Sequence, residues 1–309
     1  MNKLLLAAAI LIGLTSTAQA YTLGYETLLT SRLSVGYYAQ DAGLFAKEGL
    51  DIEVINNSIG GSKNLALLSS GRIDFASADF SAVINHNNTV ANDLVVVYVP
   101  SDATELSLLS RHSRDINFYD GKTIATGKTG VTTLTFPFVF PEVSPVFVYM
   151  GLTLRIPAML SGKTDALLGF AGTMLYNIAY SEDTSGIKVI KYADYEPRFI
   201  GPSIMVRKEF LKNNPEIVAS FVRVYDNALK ESIKDRTLTI NSVVSRSNQL
   251  STGIETARYN YVVDNFVLTS NVLQNGLNNI DESRIAFYAN KLVPNSTLVP
   301  SDYYAKITY

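Results

Sequence analysis

Leu68-Ser69-Ser70-Gly71-Arg72-Ile73-Asp74-Phe75 returns without a gap, 91 residues later, as Met159-Leu160-Ser161-Gly162-Lys163-Thr164-Asp165-Ala166. Each stretch reads as a helix end, a Ser-Gly stop, a basic residue, any residue, Asp and an apolar strand. Glycine supplies the left-handed residue that ends the helix, and a buried strand follows. The same offset maps Gly60 onto Gly151, each after a strand and before a helix. It also maps Asp79 onto Phe170, both just past the strand's carboxyl end. Helix–Gly–strand turns are common enough to look alike by chance. An ungapped match that reaches corresponding glycines instead predicts two similar α/β lobes. Ligands of open α/β sheets settle outside the carboxyl ends of the strands, so each lobe would offer strand ends and helix starts to a shared cleft.

Working outward, Tyr21–Tyr25 reads as a strand and Ser31–Lys47 as a helical stretch ended by Gly49. Asp51–Asn56 alternates charged and apolar residues, a strand signature. The helix Lys63–Ser69 follows Gly60-Gly61-Ser62, and then come the strand Arg72–Ala78, the helix Ser81–Val90 and the buried strand Asp93–Val99. This alternation predicts an α/β fold whose lobes are doubly wound, mostly parallel sheets flanked by helices. The second set runs through the strands Gly121–Thr126, Val146–Met150 and Ala166–Phe170, with the helices Ile156–Leu160 and Thr173–Ser181. Beyond about Ile204 the chain turns helical. Asn214-Pro215-Glu216 is a helix start with a capping Asn, Pro in the first turn and an acid behind it. Ile217, Phe221, Val224 and Ala228 then line one face. Further helical patterns lie near Thr237–Ser247, Gly253–Leu268 and Glu282–Leu292.

The 309 residues are 47% hydrophobic and 17% charged, with 26 Lys+Arg against 28 Asp+Glu. A net charge of −2 offers no electrostatic case for nucleic acid. With no Cys, disulfides, thiolate nucleophiles, Fe–S clusters and Cys-ligated zinc are all excluded. Residues 1–20 (MNKLLLAAAILIGLTSTAQA) carry Lys3, an apolar run from Leu4 to Leu14 and a small-residue exit at Ala18-Gln19-Ala20. That is the form of a secretory signal, cleaved after Ala20. The apolar run would rise only about 16 Å as a helix, short of a bilayer core of about 30 Å. The mature protein is expected to be soluble and exported to a periplasm. Three Gly-Lys-Thr triplets, at Gly121, Gly127 and Gly162, lack the glycine that a phosphate loop needs five positions earlier, with four residues between. His86 and His112 cannot build a three-His metal site, and neither a metal nor a cofactor is implied.

The segment Tyr38–Asp79 resembles the ABC-importer substrate-binding proteins that capture thiamine-precursor pyrimidines, aliphatic sulfonates and nitrate. The likeness rests on Ala42-Gly43-Leu44-Phe45-Ala46-Lys47-Glu48-Gly49-Leu50-Asp51-Ile52-Glu53-Val54, on Gly60-Gly61-Ser62 and on Leu68–Phe75. It resumes at Asp120–Ala125, Leu160–Ala166 and Asn214-Pro215-Glu216. The resemblance implies a two-lobed periplasmic binding fold of type II that closes on its ligand around a hinge. Lobe one would combine residues 21–104 and 201–309, and lobe two would be 105–200, with crossings near Pro100–Leu106 and Tyr192–Ile204. One departure from the family lies between Thr126 and Val146. There Phe136-Pro137-Phe138-Val139-Phe140-Pro141 is expected to interrupt a longer helix.

Candidate ligand contacts follow the strand ends. Gly60, Gly61 and Ser62 would either give backbone N–H groups and a hydroxyl to a polar ligand atom or form an ordinary N-cap. Asp79 would either accept from an amine or ring N–H or cap the next helix. Thr126, Thr129 and Thr132 belong to a hydroxyl-rich helix start facing Ser62, or else to a solvated loop. Phe170 and Tyr195 would wall a flat ligand or sit in the core; Thr173 stands in the same helix start as Phe170. Tyr25, Glu26 and Thr27 end the first strand at the cleft mouth. The expected role is that of a monomeric, non-enzymatic binding protein. It would deliver a small organic solute to an inner-membrane permease and its ATPase. A thiamine-pyrimidine-like heterocycle is the leading ligand, with sulfonate- or nitrate-type anions as the alternative. A periplasmic ligand sensor is the second class. A pyrimidine-synthase-like or porphobilinogen-deaminase-like enzyme, sharing the fold by resemblance, is the third, and it lacks the Cys residues such enzymes use.

Overall fold

A computed structural model describes residues Ala20–Tyr309, so the expected leader lies outside the described residues except for Ala20. Strands β1 (Ala20–Tyr25), β2 (Asp51–Asn56), β3 (Phe75–Asp79) and β4 (Leu94–Tyr98) come first. Helices α1 (Val35–Asp41), α2 (Leu44–Lys47), α3 (Gly61–Ser69) and α4 (Phe80–Thr89) lie between them. The chain then crosses to β5 (Leu106–Ser110), β6 (Thr123–Thr126), β7 (Val146–Tyr149), β8 (Ala166–Phe170) and β9 (Lys188–Lys191). Their connections carry α5 (Val131–Val139), α6 (Leu152–Leu160) and α7 (Ala171–Ile178). The return strand β10 (Pro202–Arg207) leads into α8 (Lys208–Asn213), α9 (Pro215–Lys234) and α10 (Thr237–Val244). The tail ends with α11 (Thr252–Val262), α12 (Ser270–Asn275), α13 (Glu282–Leu292) and α14 (Pro300–Tyr303). Among the described residues no helix is long and apolar enough to cross a membrane.

Two five-stranded sheets result, in the orders β2-β1-β3-β10-β4 and β7-β6-β8-β5-β9. In each, the fourth strand runs antiparallel to both neighbours while the other four share one direction. Both sheets are therefore mixed. The reversed strand is in each case the first one after a crossing: β5 on the way out, β10 on the way back. The repeat is structural as well, because α3–β3–α4 and α6–β8–α7 occupy matching places and the strands β3 and β8 begin 91 residues apart. Gly71 and Gly162 end their helices at φ of 74° and 73°, the left-handed conformation that favours glycine.

Several local expectations change. The stretch Ser31–Lys47 is two short helices, because Gly43 turns left-handed at φ 64° between them and Leu33 at φ 52° precedes them. Pro137 does not break α5 but sits within it, two residues before its end at Val139, where few hydrogen bonds remain to be lost. Asn214 does not cap α9 with its side chain; its amide donates instead to the Phe210 carbonyl at 3.2 Å. Helix α6 begins at Leu152 rather than Ile156 despite Pro157 inside it.

Helix α9 packs its apolar face on the first sheet. Phe221 stacks on Phe75 with ring centroids 3.8 Å apart, and on Phe45 at 5.5 Å. Phe221, Val224 and Ala228 are buried, and the two larger side chains each contribute about 1.5–3 kcal/mol on leaving water. The opposite face of that sheet packs on α3, α4 and α13 through Leu65, Leu68, Val83, Ile84 and Tyr288.

Where the two crossings pass, no side chain fits. A Cβ at Gly201 would lie 2.5 Å from the Ser101 carbonyl oxygen and closer still to that of Ala103. The Thr104 amide donates to the Phe199 carbonyl at 3.2 Å beside it, and Phe80 to that of Gly201 at 3.3 Å. Gly201→Ala should therefore force the crossings apart. We expect a loss of about 1–3 kcal/mol in urea denaturation, with the slope m unchanged.

Candidate functional site

The six forward strands that carry the repeat end around one space. Glu26 follows β1, Ser58–Gly60 follow β2, and Asp79 ends β3. From the other sheet, Gly127 follows β6, Leu152 follows β7, and Phe170 ends β8. Together they enclose a cavity of about 310 Å³. The first turns of α3 and α5 line it with Gly61, Ser62, Val131 and Thr132. First-turn amides have no intrahelical acceptor and carry the positive end of the helix dipole.

Glu26, Thr27, Gly60, Gly61, Ser62, Asp79, Thr129, Thr132, Phe170 and Thr173 all line this cavity. Three expected contacts do not. Tyr25 turns into the core, because strand alternation sends it to the face opposite Glu26. There its hydroxyl meets that of Tyr225 at 3.1 Å and accepts from the Gly36 amide at 2.9 Å. Thr126 is fully buried, its hydroxyl paired with that of Thr133 under α5. Tyr195 is 48% exposed and packs edge-on against Phe140 at 5.0 Å, so among the described residues Phe170 is the one aromatic side chain lining the cavity.

Of the two readings of Gly60–Ser62, the N-cap is Gly60, without a side-chain bond, and Ser62 lies in the first turn with its hydroxyl uncommitted to capping. A Cβ at Gly61 would lie 2.6 Å from Glu26 Oε2, so the missing side chain is what admits the carboxyl. Asp79 does cap its helix: Oδ1 accepts from the Ser81 amide at 3.0 Å and from the Ser81 hydroxyl. Its Oδ2 accepts from the Thr104 hydroxyl at 3.3 Å.

Sequence reasoning missed the charges beneath and beside the cavity. Arg32, 3% exposed, donates through Nε to Glu105 Oε2 at 2.9 Å, and its Nη1 stands 3.8 Å from Glu26 Oε1. Its guanidinium lies 4.4 Å over the Phe170 ring, a cation–π contact. Burial opposes the charge of Arg32, but Glu105 and Glu26 overcome this and raise its pKa. Glu26 is pushed up to about 8, chiefly by burial; Arg32 opposes the rise, while Asp79 and Glu105 add to it. Burial likewise brings Asp79 up to about 6, against the hydrogen bonds from Ser81. Glu26 Oε1, Glu105 Oε1 and Thr173 Oγ1 are buried with no hydrogen-bond partner.

Arg155, from α6, lines the opposite wall. It donates to the Leu168 carbonyl at 3.2 Å, and its Nη2 would lie 2.6 Å from a Cβ at Gly127. Among the described residues it has no carboxylate within ion-pair distance, and burial pushes its pKa down. The rest of the lining is mostly aliphatic, from Leu28, Ile59, Ala82, Val131, Leu152 and Met174, with Ser58 and the cation Lys63 on the Glu26 side. No local pattern distinguishes Arg32 or Arg155 from surface arginines; only the pairing of strands β1 with β3 and β6 with β8 brings them here.

Behind the cavity, α11 ties the two sheets' surroundings together. Glu255 accepts from the Ser31 amide at 2.7 Å, and Arg258 donates to the Gly172 carbonyl at 3.0 Å. The two are paired at 3.2 Å with both side chains fully buried.

A carboxyl whose folded pKa is raised binds its proton more tightly folded than unfolded. Stability must then fall as pH rises between the unfolded value of 4.5 and about 8. We expect Glu26→Gln to flatten that decline by up to about 1.4 kcal/mol per pH unit, read from urea midpoints across the window.

Solved structures share this fold. The alkanesulfonate-binding protein of Xanthomonas axonopodis pv. citri, bound to MOPS, aligns with a TM-score of 0.68 at 17% identity, covering 93% of this chain and 98% of that one. The periplasmic aliphatic sulphonate binding protein of Escherichia coli aligns at 0.67 and 16%, covering 94% and 92%. A ligand-binding component of an ABC-type import system from Staphylococcus aureus, with zinc bound, aligns at 0.68 and 15%, covering 93% and 97%. Among the described residues here, no group of three or more His, Asp or Glu could hold a metal ion. Comparison with curated proteins finds no sequence match. The family described as NMT1/THI5 like matches residues 32–236, a span holding strands of both sheets and the whole cavity-bearing repeat, and the chain belongs to that family.

Proposed function

We propose that this protein is a periplasmic solute-binding component of an ABC importer, capturing a small organic molecule between its lobes and presenting it to a permease and its ATPase. In this reading residues 21–104 with 201–309 move as one body and 105–200 as the other, the leader ends at Ala20, and the protein works as a monomer without catalysis. The carrying observation is the cavity of about 310 Å³ bounded by strand ends and helix starts from both sheets. Closing such a cleft is favoured only as far as the solute binds the closed form more tightly than the open one. Cavity-lining residues that supply this preference include Glu26, Thr27, Ser62 and Asp79 on one side. Thr129, Thr132, Phe170 and Thr173 do so on the other.

The lining favours a compact solute with an aliphatic body over a flat heterocycle. Phe170 offers a ring whose one face Arg32 already covers, and Tyr195 stands outside. Leu28, Ile59 and Leu152 are partly exposed at the cavity, where an alkyl segment would cover them.

A thermal-shift panel of aliphatic sulfonates, amino acids and thiamine-precursor pyrimidines tests the reading. A solute at 100 times its dissociation constant adds about 2.7 kcal/mol, and we expect at least one aliphatic member to do so. Ala82→Trp, which fills the cavity from α4, should abolish the shift. A panel without any shift, or a shift that survives Ala82→Trp, would refute capture in this space; a response to pyrimidines alone would overturn the aliphatic preference.

A further inference from the structure

Each sheet ends in two edge strands, and three of these four edges are protected. On β2, Asp51 and Glu53 face solvent, and the Gln40 side chain accepts from the Val54 amide at 3.2 Å. On β4, the tail runs past and the Ala305 amide donates to the Val96 carbonyl at 2.9 Å. Strand β9 begins and ends with Lys188 and Lys191, and lysine at an edge discourages further pairing. Strand β7 has none of these devices. No charged residue lies between Glu142 and Arg155, and no residue from Ser144 to Pro157 is buried. Val146 and Tyr149 are each 54% exposed.

The bare edge follows from the interrupted segment between Thr126 and Val146. Strand β2 holds the place in the first sheet that β7 holds in the second. Helices α1 and α2 pack on β2, where Ile52 and Val54 are buried. Their counterpart α5 ends at Val139, ahead of Pro141, and packs against β8 and α13. It touches β7 through Phe136, edge-on to Phe147 at 5.5 Å. The Val146 and Met150 amides donate to the Lys122 and Thr126 carbonyls, each at 2.8 Å. Alternation along the strand then turns the N–H and C=O groups of Phe147 and Tyr149 to the outer edge. An unpaired row of this kind is a template for one more strand.

We propose that β7 pairs antiparallel with β7 of a second copy of this chain, about a twofold axis at Val148, joining two second sheets into one of ten strands. In that frame Phe147 faces Tyr149 of the second copy, and the outward N–H and C=O groups of both residues are paired. An axis at Phe147 would set Tyr149 against Pro145, which has no N–H to give. An axis at Tyr149 would set Phe147 against Gly151, whose carbonyl already accepts from the Leu154 amide at 3.1 Å. With the axis at Val148, aromatic rings meet on one face and Val148, Val146 and Met150 on the other, with no like charges opposed. The edge calls for an uncharged strand of β-branched and aromatic residues, and β7 is itself such a strand. A twofold pair consumes both bare edges, and Lys188 and Lys191 guard the far edges, so growth stops at two chains. Each cavity is lined by a single chain. The single chain therefore still captures, as in the reading above, and pairing is a further state that it enters as concentration rises.

The chain has no Cys, so an introduced one reports its own encounters. Across the axis Val148 meets its copy as a non-hydrogen-bonded pair with Cα atoms about 4.5 Å apart, within the span of a disulfide. With diamide as oxidant, we expect Val148→Cys to give a covalent dimer. Val146→Cys lies about 13 Å along the strands from its copy and should give none. A strand pair is smaller than a standard interface of about 1,600 Å². Sedimentation equilibrium of the chain beginning at Tyr21 should accordingly show a dimer that dissociates between about 1 μM and about 1 mM. Tyr149→Lys, at an exposed position outside the cavity lining, should weaken it at least about tenfold while leaving the urea midpoint unchanged. A single chain at every concentration, a dimer that survives Tyr149→Lys, or equal cross-linking at positions 146 and 148 would overturn the pairing. So would a chain that stays single yet binds an alternating Thr-Val peptide, with binding lost in Tyr149→Lys, which would assign the edge to a strand of another protein. None of these outcomes alters the thermal-shift panel, which decides solute capture independently.

Discussion

Each sheet of this protein is completed by a strand that arrives from the other side. β5 enters between β8 and β9, and β10 between β3 and β4, each antiparallel to its neighbours. This exchange is the constraint on which the rest depends. A strand inserted inside a sheet cannot slip without breaking two ladders, so the two halves are held in one relative order by main-chain hydrogen bonds. The crossings that feed these strands must then run side by side, and they do so closely enough that Gly201 is pressed between Ser101 and Ala103. With the crossings fixed, the carboxyl ends of six forward strands face a common space, and every polar group of the cavity is placed by a strand end or by the helix that follows it.

The buried charges depend on the same exchange. Glu105 stands one residue before β5, and its carboxylate reaches Arg32 only because β5 inserts beside β8. Thr104, on the same crossing, reaches Asp79 at the end of β3. Moving such groups out of water costs several kcal/mol per ion unless geometry and hydrogen bonds offset it. Arg32 meets that condition against Glu105 and the Phe170 ring, whereas Glu26 does not, which is why its carboxyl keeps a proton at neutral pH. The cluster is therefore incompletely compensated, with Glu26 Oε1 and Glu105 Oε1 left without hydrogen-bond partners. Gly61 and Gly172 help to sustain it. A Cβ at Gly61 would meet Glu26, and one at Gly172 would meet Glu105 at 2.8 Å.

Elements that carry their own punctuation were legible in the sequence. The Gly71 and Gly162 stops, the alternation of Asp51–Asn56 and the Pro215 helix start each act over a few residues, and they place strands and helices to within a few positions. The crossing strand β10 and the strand β9 were not legible. Pro202–Arg207 and Lys188–Lys191 have no distinctive pattern; β10 becomes a strand by filling the place between β3 and β4, and β9 by adding to the free edge of β5. The same division runs through the site. Gly60, Asp79 and Phe170 were readable because a strand end followed by a helix start announces itself. Tyr25, one residue earlier than Glu26, lay on the wrong side of the pleat, and Thr126 found a partner in Thr133 that spacing alone does not reveal. Arg32 and Arg155 gain their meaning from neighbours that are distant in sequence.

The repeat also explains how a symmetric scaffold makes an asymmetric cavity. Asp79 and Phe170 hold equivalent places, each ending its strand and preceding the next helix. In one half that place carries a carboxyl, which caps its helix through Ser81 and adds to the negative cluster. In the other it carries a ring, which caps nothing and instead lies over the Arg32 guanidinium. One substitution at a duplicated position thus gives one jaw its charge and lets the other cover the cation that restrains it. The first turn of α6 differs from that of α3 in the same way, with Leu152 where α3 has Gly61. The glycine leaves room for Glu26, and the leucine closes the opposite wall with an aliphatic surface.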